Sequence, residues 1–176
     1  MTGAKLLGYL GAAWGISGIF LLLVCAVYRL SAIALNAFTM EFQWQHWLLL
    51  IANTVFMAYN EGYKGFQLAF APRVAARARY LLQHPQLLHV VFAPLFCMGY
   101  FYTTRRRLIT AYGLLLGILI LIVIFQQLSQ PWRGIMDAGV VVGLSWGLVS
   151  LAWFCFFAMV AESFDYAPET PHDTSN

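Results

Sequence analysis

Long apolar runs alternate with short polar stretches along the chain, which predicts an all-α protein in a membrane. A bilayer core of about 30 Å is crossed by about 20 apolar residues in helical form. Four runs meet this requirement and predict full spans over residues 6–28, 44–63, 108–125 and 137–161. The second helix could continue to about residue 70, because no strong helix breaker occurs before Pro72.

A fifth apolar segment, residues 87–104, decides the topology, because it is short and contains Pro94 and Gly99. Lys and Arg in short loops stay on the cytoplasmic side. If the segment dips into the membrane and returns at Pro94, eight of the ten basic residues lie inside, against six if it crosses. We therefore predict four full spans plus a re-entrant or interfacial helical hairpin, with both termini cytoplasmic. Five full spans are the alternative.

A basic amphipathic segment, residues 73–83, follows the second predicted span. Its apolar residues share one helical face, and prolines bracket it, which is typical of a short helix in the headgroup region. Its arginines and a second cluster before the third span either set the orientation only or bind lipid headgroups. The candidate headgroup ligands are Arg73, Arg77, Arg79, Arg105, Arg106 and Arg107.

Composition agrees with a membrane protein of one domain, residues 1–161. The chain is 61% hydrophobic and 10% charged, whereas soluble domains are about 45–50% apolar and about 25% charged. The last residues, 162–176, are acidic and lack apolar periodicity, which predicts a disordered tail. We expect an integral protein of a bacterial inner membrane or an organellar membrane.

Glycines spaced four apart occur in three of the predicted spans. Such small residues let helix backbones approach closely in lipid. The pattern predicts a compact bundle, with its close contacts within one chain or between copies of a homo-oligomer. The glycine pairs are Gly11–Gly15, Gly113–Gly117, Gly139–Gly143 and Gly143–Gly147.

The second predicted span carries a polar stripe. Seven residues bring an α-helix back to within about 20° of its starting direction, so polar residues at that spacing share one face. Glu61 and Lys64 belong to the same sector and are spaced to form an ion pair. The stripe consists of His46, Asn53, Asn60, Glu61, Lys64 and Gln67, and Asp137 at the start of the last span could join it.

Three interpretations of this stripe remain open. In the first, the stripe is either structural or a binding site for a partner, a lipid headgroup or a small solute, since ionisable residues inside membranes are functional candidates. Alternatively, the protein is a small oligomeric transporter or channel. The third possibility is a haem- or quinone-associated subunit, although no HExxH, CxxCH or nucleophile-elbow motif occurs.

The function that we predict is therefore that of a non-enzymatic membrane bundle. We assign no catalytic residue, no metal site and no cofactor. The expected partners are the lipid bilayer and other membrane proteins or further copies of the chain. The basic clusters fit a membrane surface better than a nucleic acid.

Overall fold

The structure is a computed structural model that describes residues 3–161 and 163–170. It is 82% helical, and the described residues contain no strand. A π-helical stretch, here called the π segment, joins α2 to α3. The helices in chain order are α1 (Gly3–Ala37), α2 (Trp44–Met57), the π segment (Ala58–Phe70), α3 (Ala71–Gln83), α4 (Leu87–Val91), α5 (Ala93–Met98), α6 (Arg105–Gln126) and α7 (Trp132–Val160).

Three described helices are long and apolar enough to cross a membrane: Lys5–Ala37, Arg105–Gln126 and Trp132–Val160. They cover the first, third and fourth predicted spans. The second predicted span is not among them. Its residues belong to a longer helix that continues through the π segment into α3, because the backbone is helical at both junctions, Ala58 and Ala71.

Three long helices form the core of the bundle. The first turns of α7 lie beside the end of α1, where Gly134 meets Ala37, and the end of α3 lies beside the start of α1, where Leu82 meets Gly8. The helix from α2 to α3 therefore runs parallel to α7 and antiparallel to α1. Glycines of α7 let these two parallel helices approach closely.

The segment 87–104 packs along α1 as a short helical hairpin. Val90 meets Gly11, and Pro94 meets Gly18, farther along the helix. Cys97 then meets Gly15, so the chain has turned back toward the end where it entered. The break between the two short helices lies at Phe92, and Pro94 occupies the first turn of α5.

Helix α6 stands apart from this core. Ala111 is its single buried residue among those described. A Cβ added at Gly113 or at Gly117 would meet no atom within 4 Å. The glycine spacing therefore leads to close packing in α1 and α7 but not in α6.

Helix α3 is packed on two sides and is not the free surface helix that we expected. It lies between α1 and α7, and Ala75, Ala78 and Leu81 are each 0% exposed. The helix has the predicted pattern of basic and apolar residues, but Arg77 and Arg79 donate to backbone carbonyls inside the protein. Residue spacing alone does not distinguish an arginine that binds carbonyls inside the protein from one that faces lipid headgroups.

The described part of the acidic tail, residues 163–170, lies against the bundle. Phe164 and Tyr166 contact the rings of Phe157 and Phe154 on α7. Thr170 is 1% exposed. Of the segment that we predicted to be disordered, residues 162 and 171–176 lie outside the described residues.

Candidate functional site

The π segment changes which side chains of the predicted stripe share a face. At its end the N–H of Ala71 donates to the carbonyl of Phe66, five residues earlier, as a π-helix requires. A π-helix has more residues per turn than an α-helix, so the seven-residue repeat of the stripe no longer holds after Met57. The stripe is consequently divided between an inner face, on α7, and an outer face.

The inner face begins at Asn53. Its side-chain amide donates to the carbonyl oxygens of Ile135 at 2.9 Å and Met136 at 3.3 Å, in the first turns of α7. The same amide lies against Gly139, where a Cβ would collide with it. Asn53 therefore fastens the two parallel helices near one end of the bundle.

Glu61 is the acidic group of the inner face. A Cβ at Gly143 would lie 2.8 Å from its Oε2 and 3.1 Å from its Cβ, so glycine is what leaves room for this side chain. The Oε2 atom is buried and has no hydrogen-bond partner among the described residues. A buried carboxylate without a partner is costly in its charged form.

The third inner contact is made by Gln67. The indole N–H of Trp146 donates to its Oε1 at 2.7 Å. Beside it, the ring of Phe66 covers Gly147. Trp146 could not be selected by sequence reasoning, because its partner is 79 positions away.

Asn60 and Lys64 lie on the outer face, with Tyr59 and Tyr63. All four are exposed. The Lys64 ammonium sits 4.7 Å from the ring centre of Tyr59, a cation–π contact. Asn60 donates to the carbonyl of Phe56 in its own helix at 3.0 Å. No ion pair joins Glu61 to Lys64 within the described chain, so the expected pair does not form.

His46 and Asp137 lie near the start of α2 and α7, away from Glu61. The Nδ1 of His46 accepts the N–H of Gln43 at 3.1 Å, and its ring packs on Trp132. Asp137 faces Arg133 at 3.8 Å, although its Oδ2 makes no hydrogen bond to any described residue. His46 thus caps a helix, and Asp137 lies six residues, or about 9 Å, before Gly143 along α7.

Two of the six predicted headgroup arginines are occupied inside the protein. Arg77 donates to the carbonyl oxygens of Phe96 at 2.6 Å and Pro168 at 2.9 Å, and also to those of Phe101 and Tyr102. Arg79 donates to the carbonyls of Ala158 and Ala161, where α7 ends. These contacts fix the hairpin, the tail and the end of α7 relative to α3.

The other four arginines are differently placed. Arg73 and Arg107 line a small cavity of about 10 Å³ together with Glu169, and Arg107 faces the Glu169 carboxylate at 3.6 Å. Arg105 and Arg106 are exposed at the start of α6. The ion pair of Glu169 could not be predicted from the sequence, since the tail lacks any pattern that predicts packing.

Groups suited to metal binding are not assembled in the part of the chain that the structure describes, where no three His, Cys, Asp or Glu side chains come together. The three cysteines are free, and Cys97 and Cys155 are buried. In comparisons with known proteins, no family model, no curated protein and no solved structure matches the chain.

Proposed function

We propose that the protein is a non-enzymatic membrane bundle that assembles side by side with another membrane protein. The contact surface is the outer face of the π segment, formed by Tyr59, Asn60, Tyr63 and Lys64. The observation that carries this proposal is the position of Lys64, which is exposed on the outside of the bundle and level with the middle of α7.

The depth of Lys64 follows from its neighbours. Glu61 lies against Gly143 and Phe66 against Gly147, so Lys64 is level with the midpoint of α7 (Trp132–Val160). Fourteen residues on either side correspond to about 21 Å, whereas half of a hydrocarbon core is about 15 Å. If α7 crosses the bilayer, the outer face therefore lies near the bilayer centre.

A lysine exposed to lipid at this depth is unfavourable. Insertion scales place the cost at about 2.5–3.5 kcal/mol for a charged residue at the helix centre. The amide of Asn60 adds to this cost, because only its donor to the Phe56 carbonyl has a partner in its own helix and lipid offers no further hydrogen bonds. A protein surface that covers this face would remove the cost, and the same polar groups would then hold the partner.

Charge complementarity defines the partner. A transmembrane helix with a carboxylate or a hydrogen-bond acceptor near its middle would suit Lys64. A second copy of the chain fits less well, because the carboxyl group described at this depth, that of Glu61, is turned into its own bundle. The oligomeric transporter or channel remains the second candidate, in which copies of Lys64 would face a shared interior.

The same proposal includes the topology. The helix from Trp44 passes α7 along its length, so it would form the fourth crossing, with the hairpin entering from the side of the termini. Most of the basic residues, including Lys5, Arg73 and Arg79, lie at that end, which makes it the cytoplasmic end. In intact cells, R106C should be protected from an impermeant thiol reagent and S129C labelled; the reverse pattern would contradict this orientation.

Photocrosslinking in native membranes tests the interface. A photoreactive residue at Tyr63 should capture one defined membrane protein, and K64M should reduce its yield. The matched control position is Val149, which is 72% exposed on α7. A charge swap tests the contact directly. If K64E in this chain is combined with a lysine in place of the partner's carboxylate and crosslinking is restored, the charge contact is established. A product of twice the chain mass would favour the oligomer, and equal yields at both positions would refute the interface.

A further inference from the structure

Among the described residues, the end of the bundle where α3 meets the hairpin and the tail contains an excess of partly buried positive charge. Arg73, Arg77 and Arg107 line the same small cavity, and Glu169 is the one carboxylate among the lining residues. Arg77 uses its donors on backbone carbonyls, which carry no net charge. One carboxylate therefore faces three guanidinium groups.

Arg73 has unused binding capacity in this cluster. Among the described residues it makes no hydrogen bond and no ion pair, although it is half-buried. The charge of Arg107, on the same cavity, repels that of Arg73, and the carboxylate of Glu169 attracts it. An additional anion would relieve this repulsion and fill the free donors of Arg73.

The start of α6 supplies a second attraction for an anion. Arg105, Arg106 and Arg107 occupy its first turn, where the helix dipole disfavours cations and favours anions. The N-cap residue, Thr104, makes no capping hydrogen bond with its side chain. The first N–H groups of α6, which have no partner within the helix, thus lie at the end of α6 from which Arg107 lines the cavity.

We propose that the Arg73–Arg107 cluster binds a phosphate group, either of a lipid headgroup or of a free phosphate compound, and that Glu169 of the tail competes for the same site. Arginine matches phosphate because its planar fork donates two parallel hydrogen bonds. The cavity of about 10 Å³ holds no more than a water molecule. A phosphate therefore enters by displacing the Glu169 carboxylate.

Backbone contacts of the tail hold Glu169 in position at the cavity. Its backbone is held on both sides of the site, by Arg77 on the Pro168 carbonyl and by Thr103 on the Glu169 carbonyl at 3.0 Å. Glu169 has φ of 50°, a left-handed conformation that is uncommon for residues other than glycine. Side-chain displacement thus leaves these backbone contacts in place.

Binding to the purified full chain in detergent tests the proposal, with a short-chain phosphatidic acid and inorganic phosphate as separate probes. R73Q and R107Q should each weaken binding about tenfold or more. E169Q should tighten it about three- to fivefold, as expected for loss of a partly exposed ion pair. R106Q is the control, because Arg106 is exposed and does not line the cavity.

The two probes distinguish the source of the phosphate. Binding of phosphatidic acid alone identifies a lipid headgroup, and binding of both identifies a phosphate group irrespective of its carrier. No binding of either probe, or losses in R73Q and R107Q no larger than in R106Q, would overturn the site. An unchanged affinity in E169Q would overturn the competition by the tail.

Discussion

The Oε2 of Glu61 lies against the backbone of α7 at Gly143, where an added Cβ would sit 2.8 Å away. A carboxyl side chain is thus accommodated at the middle of the bundle by the absence of a side chain opposite it. This relationship allows stability measurements to test the packing of the two parallel helices.

G143A should lower the free energy of unfolding by about 1–3 kcal/mol, because the methyl group overfills the contact with Glu61. G117A is the control, since a Cβ at Gly117 meets no atom within 4 Å. Thermal unfolding in one detergent compares them. Equal stability of the two variants would show that α7 does not pack on the π segment as described.

E61Q should preserve or raise stability, because the amide keeps the shape of the carboxyl group and cannot take the charged form, which has no described partner at this site. Thermal unfolding of E61Q beside the wild type is the measurement, with E61A as the size-changing comparison. A loss above about 2 kcal/mol in E61Q would instead indicate a bound cation or another partner of the carboxylate.

R77Q should detach the hairpin from α3 and expose Cys97, since four carbonyl groups lose their charged donor. We expect a loss of about 3 kcal/mol or more. Burial keeps the wild-type thiol unreactive and raises the pKa of Cys97 to about 12. Labelling of Cys97, with the other cysteines replaced, measures the opening; R105Q should label as slowly as the unmutated protein.

The hairpin should also weaken in acid. Burial, and secondarily the charge of Arg77, lower the pKa of His89 below its ordinary 6.5. The unfolded chain then binds a proton at higher pH than the folded chain, so stability is full above about pH 6.5 and falls as the pH decreases through the folded pKa.

His89→Phe provides the comparison for this pH effect. The ring would occupy the same aromatic surroundings, formed by Phe96, Phe101 and Tyr102. As the pH decreases from 8 to 5, the stability of the wild type should fall relative to that of H89F as His89 gains its charge. Parallel curves over this range would exclude His89 as the cause.

The apolar spans were predictable because their signal is local. About 20 consecutive apolar residues suffice to predict α1, α6 and α7. The proline in the short apolar segment indicated a break, which the structure places at Phe92, two residues before Pro94. Neither inference needs knowledge of which helices touch.

The polar stripe was only partly predictable. A constant 100° per residue places Asn60 and Lys64 beside Asn53, whereas the π segment turns them outward and Glu61 inward. The glycines at 62 and 65 gave no sign of this change. Which side chains of this stretch face inward depends on how it packs against α7. That packing cannot be read from the spacing of residues in the sequence.

The internal contacts of two arginines were unpredictable for a related reason. Arg77 and Arg79 have the spacing of a membrane-surface helix, but their acceptors are backbone carbonyls at the ends of distant elements. Every residue has such a carbonyl, so no residue type indicates which ones will be left without a partner.

The hydrogen bonds of Arg77 also determine when, during biosynthesis, this part of the fold can be completed. All four of its acceptors are translated after it, and the last, on Pro168, comes 91 positions later. Three of the acceptors follow within 25 residues, whereas Pro168 is synthesised only after α6 and α7. The junction of hairpin, loop and tail can therefore be completed only once the tail has been made, and premature termination before residue 168 would leave it without its last bond.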